Sequence, residues 1–312
     1  MIRECKSVRS EYGKTLVNLG KQNKDIVVLD ADLSCSTQTK LFAKEFPERF
    51  FNAGIAEQDL MTTAAGLACI GKIPFVSTFA MFATGRAWEQ IRNTICYSNL
   101  NVKIAATHGG ITVGEDGASH QSLEDISLMR SIPNMVVIVP ADAAETKQAV
   151  EFAASYFGPV YIRIARTSLP DIFDDNYVFD YKKANIMKEG NDVTLITNGE
   201  TLSETIDCAK ILEGNGINAE IINAPVVKPI DGETIIKSAQ KTNRVITIEN
   251  HSVIGGLGSA VCELLSENYP VKITRIGTND EFGQSGNAKE LMTHYGLNAD
   301  KLAEKITGLL KK

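Results

Sequence analysis

The 312-residue sequence has no CxxC pair, no membrane-length apolar run and no long basic stretch. Its six cysteines, Cys5, Cys35, Cys69, Cys96, Cys208 and Cys262, are scattered singly. Neither a thiolate metal cluster nor a disulfide framework is expected from them, and reduced thiols in a cytoplasmic setting fit best. A helical membrane span needs ~20 consecutive apolar residues, and none occur. The amino-terminal stretch "MIRECKSVRS" lacks the apolar core of an export signal. The net charge of −6, with no basic run, argues against nucleic acid or a membrane as the main partner. It leaves room for one local cationic site.

What the chain does have is an alternating pattern. Short β-branched runs, "DIVVLD" (25–30), "RFFNAG" (49–54), "PFVSTFA" (74–80), "NVKIAATH" (101–108), "MVVIVP" (135–140) and "VYIRIAR" (160–166), are separated by helical stretches. The segments "RSEYGKTLVNLGKQ" and "DAAETKQAVEFAASYF" (142–157) are two such helices. Continuously apolar strands separated by helices predict a parallel sheet covered on both faces. From 169 to about 190 the pattern lapses into a linker and a short edge strand. A second α/β pattern follows, with strands predicted at "VTLITNG" (193–199), "NAEIINAPVVKP" (218–229), "RVITIEN" (244–250) and "VKITRIG" (271–277). Two doubly wound α/β domains are expected, residues 1–184 and 185–312. A length of 312 residues agrees, at about 150 residues per domain.

Ligands of open parallel sheets sit beyond the C-terminal ends of the strands. The residues that follow the first-half strands are Asp32 and Ser36, Glu57, Phe79 and Phe82, then His108, Asp116 and His120, and Arg166. Glu57 is a lone acid opening an apolar helix, "EQDLMTTAAGLACIG". Its plainer explanation is an acid stabilised by the helix dipole, worth about 0.3–1 kcal/mol. Phe79 and Phe82, three apart, share one face of a helix, a spacing more common in cores than in cofactor sites. The loop "THGGITVGEDGASHQSLED" (107–125) holds two of the four histidines and glycines that let backbone approach a ligand closely. His108 and His120 are twelve apart, which is no helical metal-ligand spacing. Substrate binding or proton transfer is the expectation there, and no metal site. The "SLED" at its end predicts a capping box, with a helix starting near Ser122. In "IENHSVIGGLGSAV" (248–261) the glycines do not follow GxGxxG, so close helix–sheet packing is expected in place of nucleotide binding.

The motifs "NAGIAEQD", "STFAMF", "THGGITVGEDGASHQSLED" and "RIARTSLP" resemble the C-terminal half of transketolase, a thiamine-diphosphate enzyme. The likeness runs the length of the chain: a parallel-sheet pyrimidine-binding domain, then a mixed-sheet C-terminal domain. It implies that Glu57 contacts the aminopyrimidine ring of the cofactor and that Phe79 and Phe82 pack around it. Asp32, in "DADLS", matches an aspartate that helps position cofactor and subunit interface. His120 matches a histidine near the substrate oxygens, and Asp116 an aspartate that recognises a sugar hydroxyl. Arg9, Ser36, His108 and Arg166 match the groups that hold a sugar phosphate. His108 and His120 would move protons or stabilise developing oxyanions.

Two departures stand out. A third pocket aromatic is replaced by Gly85, leaving the pocket open or filled by Trp88 or a partner. The GDG motif that holds magnesium and the diphosphate is missing. The resemblance therefore implies the C-terminal subunit of a split transketolase. Magnesium ligands are expected on an N-terminal partner subunit, in an assembly of two of each chain. With that partner it would transfer a two-carbon ketol unit between sugar phosphates in the pentose phosphate manner. The cofactor must lose a proton from its thiazolium carbon. A carboxyl group that holds or shares a proton at the pyrimidine ring nitrogen promotes this, which gives Glu57 its reason. The alternatives are a beta-type subunit of a 2-oxo-acid dehydrogenase, a deoxyxylulose-phosphate synthase-like enzyme, and a non-catalytic partner subunit.

Overall fold

The computed structural model describes residues 4–174 and 176–311. Strand β1 (Cys5–Ser7) leads into helix α1 (Val8–Gln22), whose start is set by the Ser7 hydroxyl accepting the Ser10 amide. There follow β2 (Ile26–Asp30), α2 (Ser34–Thr37), α3 (Lys40–Glu45), β3 (Phe50–Asn52), α4 (Glu57–Cys69), β4 (Ile73–Ser77) and β5 (Lys103–Thr107). Then come α5 (Asp125–Arg130), β6 (Val136–Ile138), α6 (Ala143–Ser155), β7 (Val160–Ile164) and β8 (Ser168–Pro170). The second half holds β9 (Asn185–Lys188), β10 (Val193–Thr197), α7 (Thr201–Gly214), β11 (Ala219–Asn223), β12 (Val226–Lys228) and α8 (Gly232–Thr242). It ends with β13 (Arg244–Ser252), α9 (Leu257–Asn268), β14 (Lys272–Thr278), α10 (Ala288–His294) and α11 (Ala299–Leu310).

The first sheet has the order β12-β6-β7-β5-β4-β2-β3, parallel throughout except for β12. Its strands read as largely apolar runs because both faces are covered. Val27 and Leu29 of β2 pack with Val76, Ile104 and Val137 on one side. Ile26 and Val28 pack with Phe75, Ala105 and Val136 on the other. The second sheet, β14-β13-β10-β11-β9, is mixed, since edge strand β9 runs antiparallel. A third, two-stranded sheet joins β1 to β8.

Two expectations need correction. The run 218–229, read as one strand, is two strands in different sheets: β11 lies in the second and β12 pairs with β6 of the first. The break falls at Ala224-Pro225. The proline has no amide to donate to a ladder, but its carbonyl accepts the Val139 amide at 2.7 Å and steers the chain across. The "SLED" segment does not open a helix at Ser122. Ser122 forms an isolated bridge with Gly109, and α5 begins at Asp125 without a side-chain cap. The pairing of Ser122 with Gly109, just past the end of β5, overrides its capping propensity.

The glycine-rich turn before α9 has the expected close packing. A Cβ at Gly256 would stand 2.0 Å from Glu249 Oε2, and one at Gly258 2.6 Å from Thr247 Oγ1. The buried Glu249 carboxylate accepts the Leu257 and Gly258 amides at 2.7 and 2.8 Å. An acid of the protein thus occupies the helix N-terminus that a nucleotide phosphate would use.

Candidate active site

The first strand-end group is Arg9, in the opening turn of α1. That helix is pinned at the C-terminal edge of the sheet by Tyr12, whose hydroxyl shares a 2.7 Å hydrogen bond with Ser77 at the end of β4. Arg9 Nε donates to the Arg166 carbonyl at 3.1 Å and Nη1 to the Ser36 carbonyl at 2.7 Å. The chain thereby brings Arg9, Ser36 and Arg166 together from three elements. Arg166 Nη1 pairs with the exposed Glu115 at 2.8 Å. Burial, and then the Arg166 charge, pull the Arg9 guanidinium below its ordinary value. Arg9, held to the Arg166 main chain, and the Arg166 side chain that lowers its pKa together offer two cations as a cradle suited to a tetrahedral oxyanion.

His108 stands behind that cradle. It follows β5 with φ of 63°, a left-handed turn that lifts the chain out of the sheet. Its amide still donates to the Ile164 carbonyl at 3.1 Å. The ring is 3% exposed and shares a 2.7 Å hydrogen bond between Nδ1 and Thr107 Oγ1. Burial first, then Arg9, Arg166 and His120, push its pKa down from 6.5 to about 3. A neutral imidazole beside two cations can donate from one nitrogen and accept at the other. Because the folded value lies below the ordinary one, the neutral ring's contribution to stability is complete above pH 6.5. It is lost as pH falls toward 3. We expect the His108 imidazole, followed by nitrogen-15 NMR, to stay neutral at pH 5, and a His108→Gln variant to lose stability less steeply with acid over that window. A ring that titrates near 6.5 would contradict the burial argument.

The aromatic residues continue the site inward. The Phe79 ring stacks on His108 with centroids 3.8 Å apart, and on Phe82 at 5.9 Å. His120, half-buried, meets both rings edge-on, at 6.3 Å from Phe79 and 5.3 Å from Phe82. Beyond Phe82 lies Glu57, the first residue of α4 and 1% exposed. Its Oε2 accepts from Arg86 Nη1 at 2.6 Å, and the Arg86 guanidinium lies over the Phe82 ring, 4.9 Å from its centre. A buried acid next to an aromatic shelf fits a flat heterocycle that presents a nitrogen at its edge.

Some members stand apart. Asp32 is exposed and φ-positive, and is tied to Asn52 at the next strand end, which donates to its Oδ1 at 3.0 Å. Asp116 lies exposed on the turn Ile111–Asp116 beside Glu115. Trp88 does not fill the space left at Gly85. Its indole nitrogen donates to the Leu128 carbonyl at 3.3 Å, and it packs against the core beneath α5.

Two charged residues tie the site together across distances that local pattern does not show. Arg86 was invisible because its partner Glu57 lies 29 positions away. Arg163, a charge within the apolar run "VYIRIAR", was legible as an oddity but not as a tie between the halves. It pairs with the buried Asp125 at 3.0 Å. It donates to the Asn250 and Ser122 carbonyls at 2.8 and 3.2 Å. Its guanidinium also lies where a Gly109 side chain would be, 2.1 Å from the Cβ position. The Arg163 network thereby seats the glycine-rich loop against the second domain.

Among the described residues no cluster of three or more His, Cys, Asp or Glu is placed to hold a metal ion. None of their helices is long and apolar enough to cross a membrane.

Comparison with known proteins agrees with this geometry. The family model for the transketolase pyrimidine-binding domain matches residues 5–171, and that for the transketolase C-terminal domain matches residues 182–302. A protein of Methanocaldococcus jannaschii, provisionally named a transketolase C-terminal section, is 53% identical over 310 residues, covering 98% of this chain and 97% of that one. A Clostridium sp. protein named as a 6-deoxy-6-sulfo-D-fructose transketolase subunit is 41% identical over 295 residues, covering 95% and 92%. A solved structure described as a split gene transketolase, inactive beta4 tetramer, superposes with a TM-score of 0.91 at 53% identity, covering 98% and 99%. The chain belongs to the transketolase family, whose members depend on thiamine diphosphate, and has the two-domain layout of a split transketolase's C-terminal section.

Proposed function

We propose that this chain is the C-terminal subunit of a two-chain transketolase. With an N-terminal partner that holds magnesium and the diphosphate, it transfers a two-carbon ketol unit from a ketose phosphate to an aldose phosphate. The observation that carries the proposal is the buried Glu57 carboxylate, placed beside the Phe79 and Phe82 shelf on the same sheet edge as the paired arginines. The chain's domains divide near residue 184, with the linker from about 169 and β12 returning to the first sheet.

Thiamine diphosphate, when bound, supplies the electron sink that lets a two-carbon unit leave a ketose. The protein's own groups do the rest. Glu57 holds a proton at the pyrimidine ring nitrogen, screened from water by Phe79 and Phe82. Asp32 helps to position the cofactor at the edge shared with the partner. Arg9, Arg166 and Ser36 fix the substrate's anionic end, and Asp116 reads a hydroxyl. His108 and His120 flank Phe79 and move protons at the substrate oxygens; the neutrality of His108 suits it to that task.

The test is to mix the chain with a partner carrying a GDG motif, magnesium and thiamine diphosphate, and to measure ketol transfer from xylulose 5-phosphate to ribose 5-phosphate. Transfer is expected from the pair and from neither chain alone. Turnover of pyruvate in its place would overturn the reading. The Clostridium relative is named for a sulfosugar, and a sulfonate is also a tetrahedral oxyanion, so a 6-sulfo ketose belongs in the assay. Arg166→Met is expected to raise KM for the phosphorylated donor about 10–100-fold while changing kcat little, since a charged hydrogen bond contributes about 1.5–3 kcal/mol. An unchanged KM would remove Arg166 from the anion cradle.

A further inference from the structure

Arg86 reaches inward from the solvent. Its side chain is 49% exposed, while that of Glu57 is 1% exposed. Between them the guanidinium makes two contacts: an edge to the Glu57 carboxylate at 2.6 Å and a position over the Phe82 ring at 4.9 Å. These are the two contacts that a flat aminopyrimidine needs from this chain, an edge to the acid and a face to the aromatic shelf. Arginine and ring compete for them. The competition is not symmetrical in charge. A guanidinium favours the ionised carboxylate, whereas a ring nitrogen that accepts a hydrogen bond requires the carboxyl to carry a proton.

We propose that Arg86 is a positioning residue that latches Glu57. In the chain by itself it occupies the place of the cofactor ring and keeps the carboxylate ionised. Entry of the ring turns Arg86 outward, and Glu57 takes up one proton from solvent. This rests on the thiamine reading of the site. The surroundings give the latch room to open. Gly85 beside it has no side chain, and a Cβ there would approach only the tip of Met81, at 3.2 Å. Among the described residues Glu57 is the sole ion-pair partner of Arg86.

The other charged or titratable groups around α4 are engaged elsewhere, face solvent, or lie at its far end. β4 contributes none. On β2, Asp30 accepts from the Leu33 amide and the Thr37 and Thr39 hydroxyls. In the turn Gln90–Cys96, Arg92 donates to Asn93, and burial pushes the Cys96 thiol up to about 12. On α4 itself, Asp59 and Cys69 are exposed. Arg86 is the group positioned to set the protonation of Glu57.

The experiment is calorimetric titration of the assembled complex with thiamine diphosphate in the presence of magnesium, at pH 8. It is run in two buffers of different ionisation enthalpy so that protons are counted. The unaltered complex should take up about one proton per site, and its affinity should fall about tenfold per pH unit in the alkaline direction. Arg86→Met should bind about tenfold more tightly at pH 8, because the ring no longer has to displace the guanidinium. Arg86→Lys, which keeps a cation, should behave like the parent. An unaltered complex that takes up no proton, or an Arg86→Met complex that binds no more tightly than the parent, would overturn the latch. Failure of the unaltered complex to bind would instead overturn the thiamine reading, and the latch with it.

Discussion

Replacing Glu57 by Gln is expected to lower turnover of the assembled enzyme by about 10²–10⁴-fold, the range for removal of a positioned acid–base group. The amide keeps the shape of the side chain at the start of α4 and can still accept from Arg86. What it loses is the capacity to hold a proton that can be handed over. The fold should be spared. Arg86 is half-exposed and its charge is already met by water, so the surface part of the pair contributes little. Circular dichroism melts of the two proteins should therefore nearly coincide while their ketol-transfer rates separate. A Glu57→Gln enzyme retaining more than a tenth of parental turnover would show that the carboxyl is not the proton holder. A large drop in melting temperature would show that it is mainly structural.

Arg163→Met should cost about 3–5 kcal/mol of stability, the usual penalty for removing one partner of a buried charge pair. Asp125 would be left in the core without its cation, the Asn250 carbonyl would lose the Arg163 donor, and the Ser122 carbonyl would keep only the Gly110 amide. Tyr161 would keep its 2.7 Å hydrogen bond to Asp125, which softens the loss without cancelling the charge. Because Asn250 belongs to β13 of the second sheet, the damage should fall on the junction between the halves. Urea denaturation measures the loss. The double variant Asp125→Asn with Arg163→Met should recover part of it, since the stranded charge is then gone. An additive double variant would mean that the two side chains do not form the pair seen here.

Much of this architecture was readable from local pattern. The strands of the first sheet are mostly apolar because helices cover both faces, and that leaves a plain mark in the sequence. The strand-end polar residues could be collected for the same reason: a parallel sheet puts those ends on one edge. The structure adds that Arg9, Ser36 and Arg166 touch and that Phe79, Phe82, His108 and His120 form one ring cluster. What local pattern missed are contacts between distant segments. Arg86 looks like any exposed helical arginine until α4 places Glu57 against it. Residues 224–229 look like the continuation of a strand, because apolar alternation does not say which sheet an edge will join. The "SLED" motif carried a true capping signal that lost to the bridge between Ser122 and Gly109. Gly85 told of a missing aromatic but not of the guanidinium beside it.

The crossing of β12 reverses the usual relation between chain order and assembly order. The first sheet borders on a strand that is synthesised about forty residues after the linker has passed, so it cannot seal its β6 edge as the ribosome delivers it. During that interval an unpaired ladder is open to pairing with a neighbouring chain. A gene cut at the apparent boundary would therefore yield a half with a ragged seam, whereas fusion at either terminus would leave the seam closed.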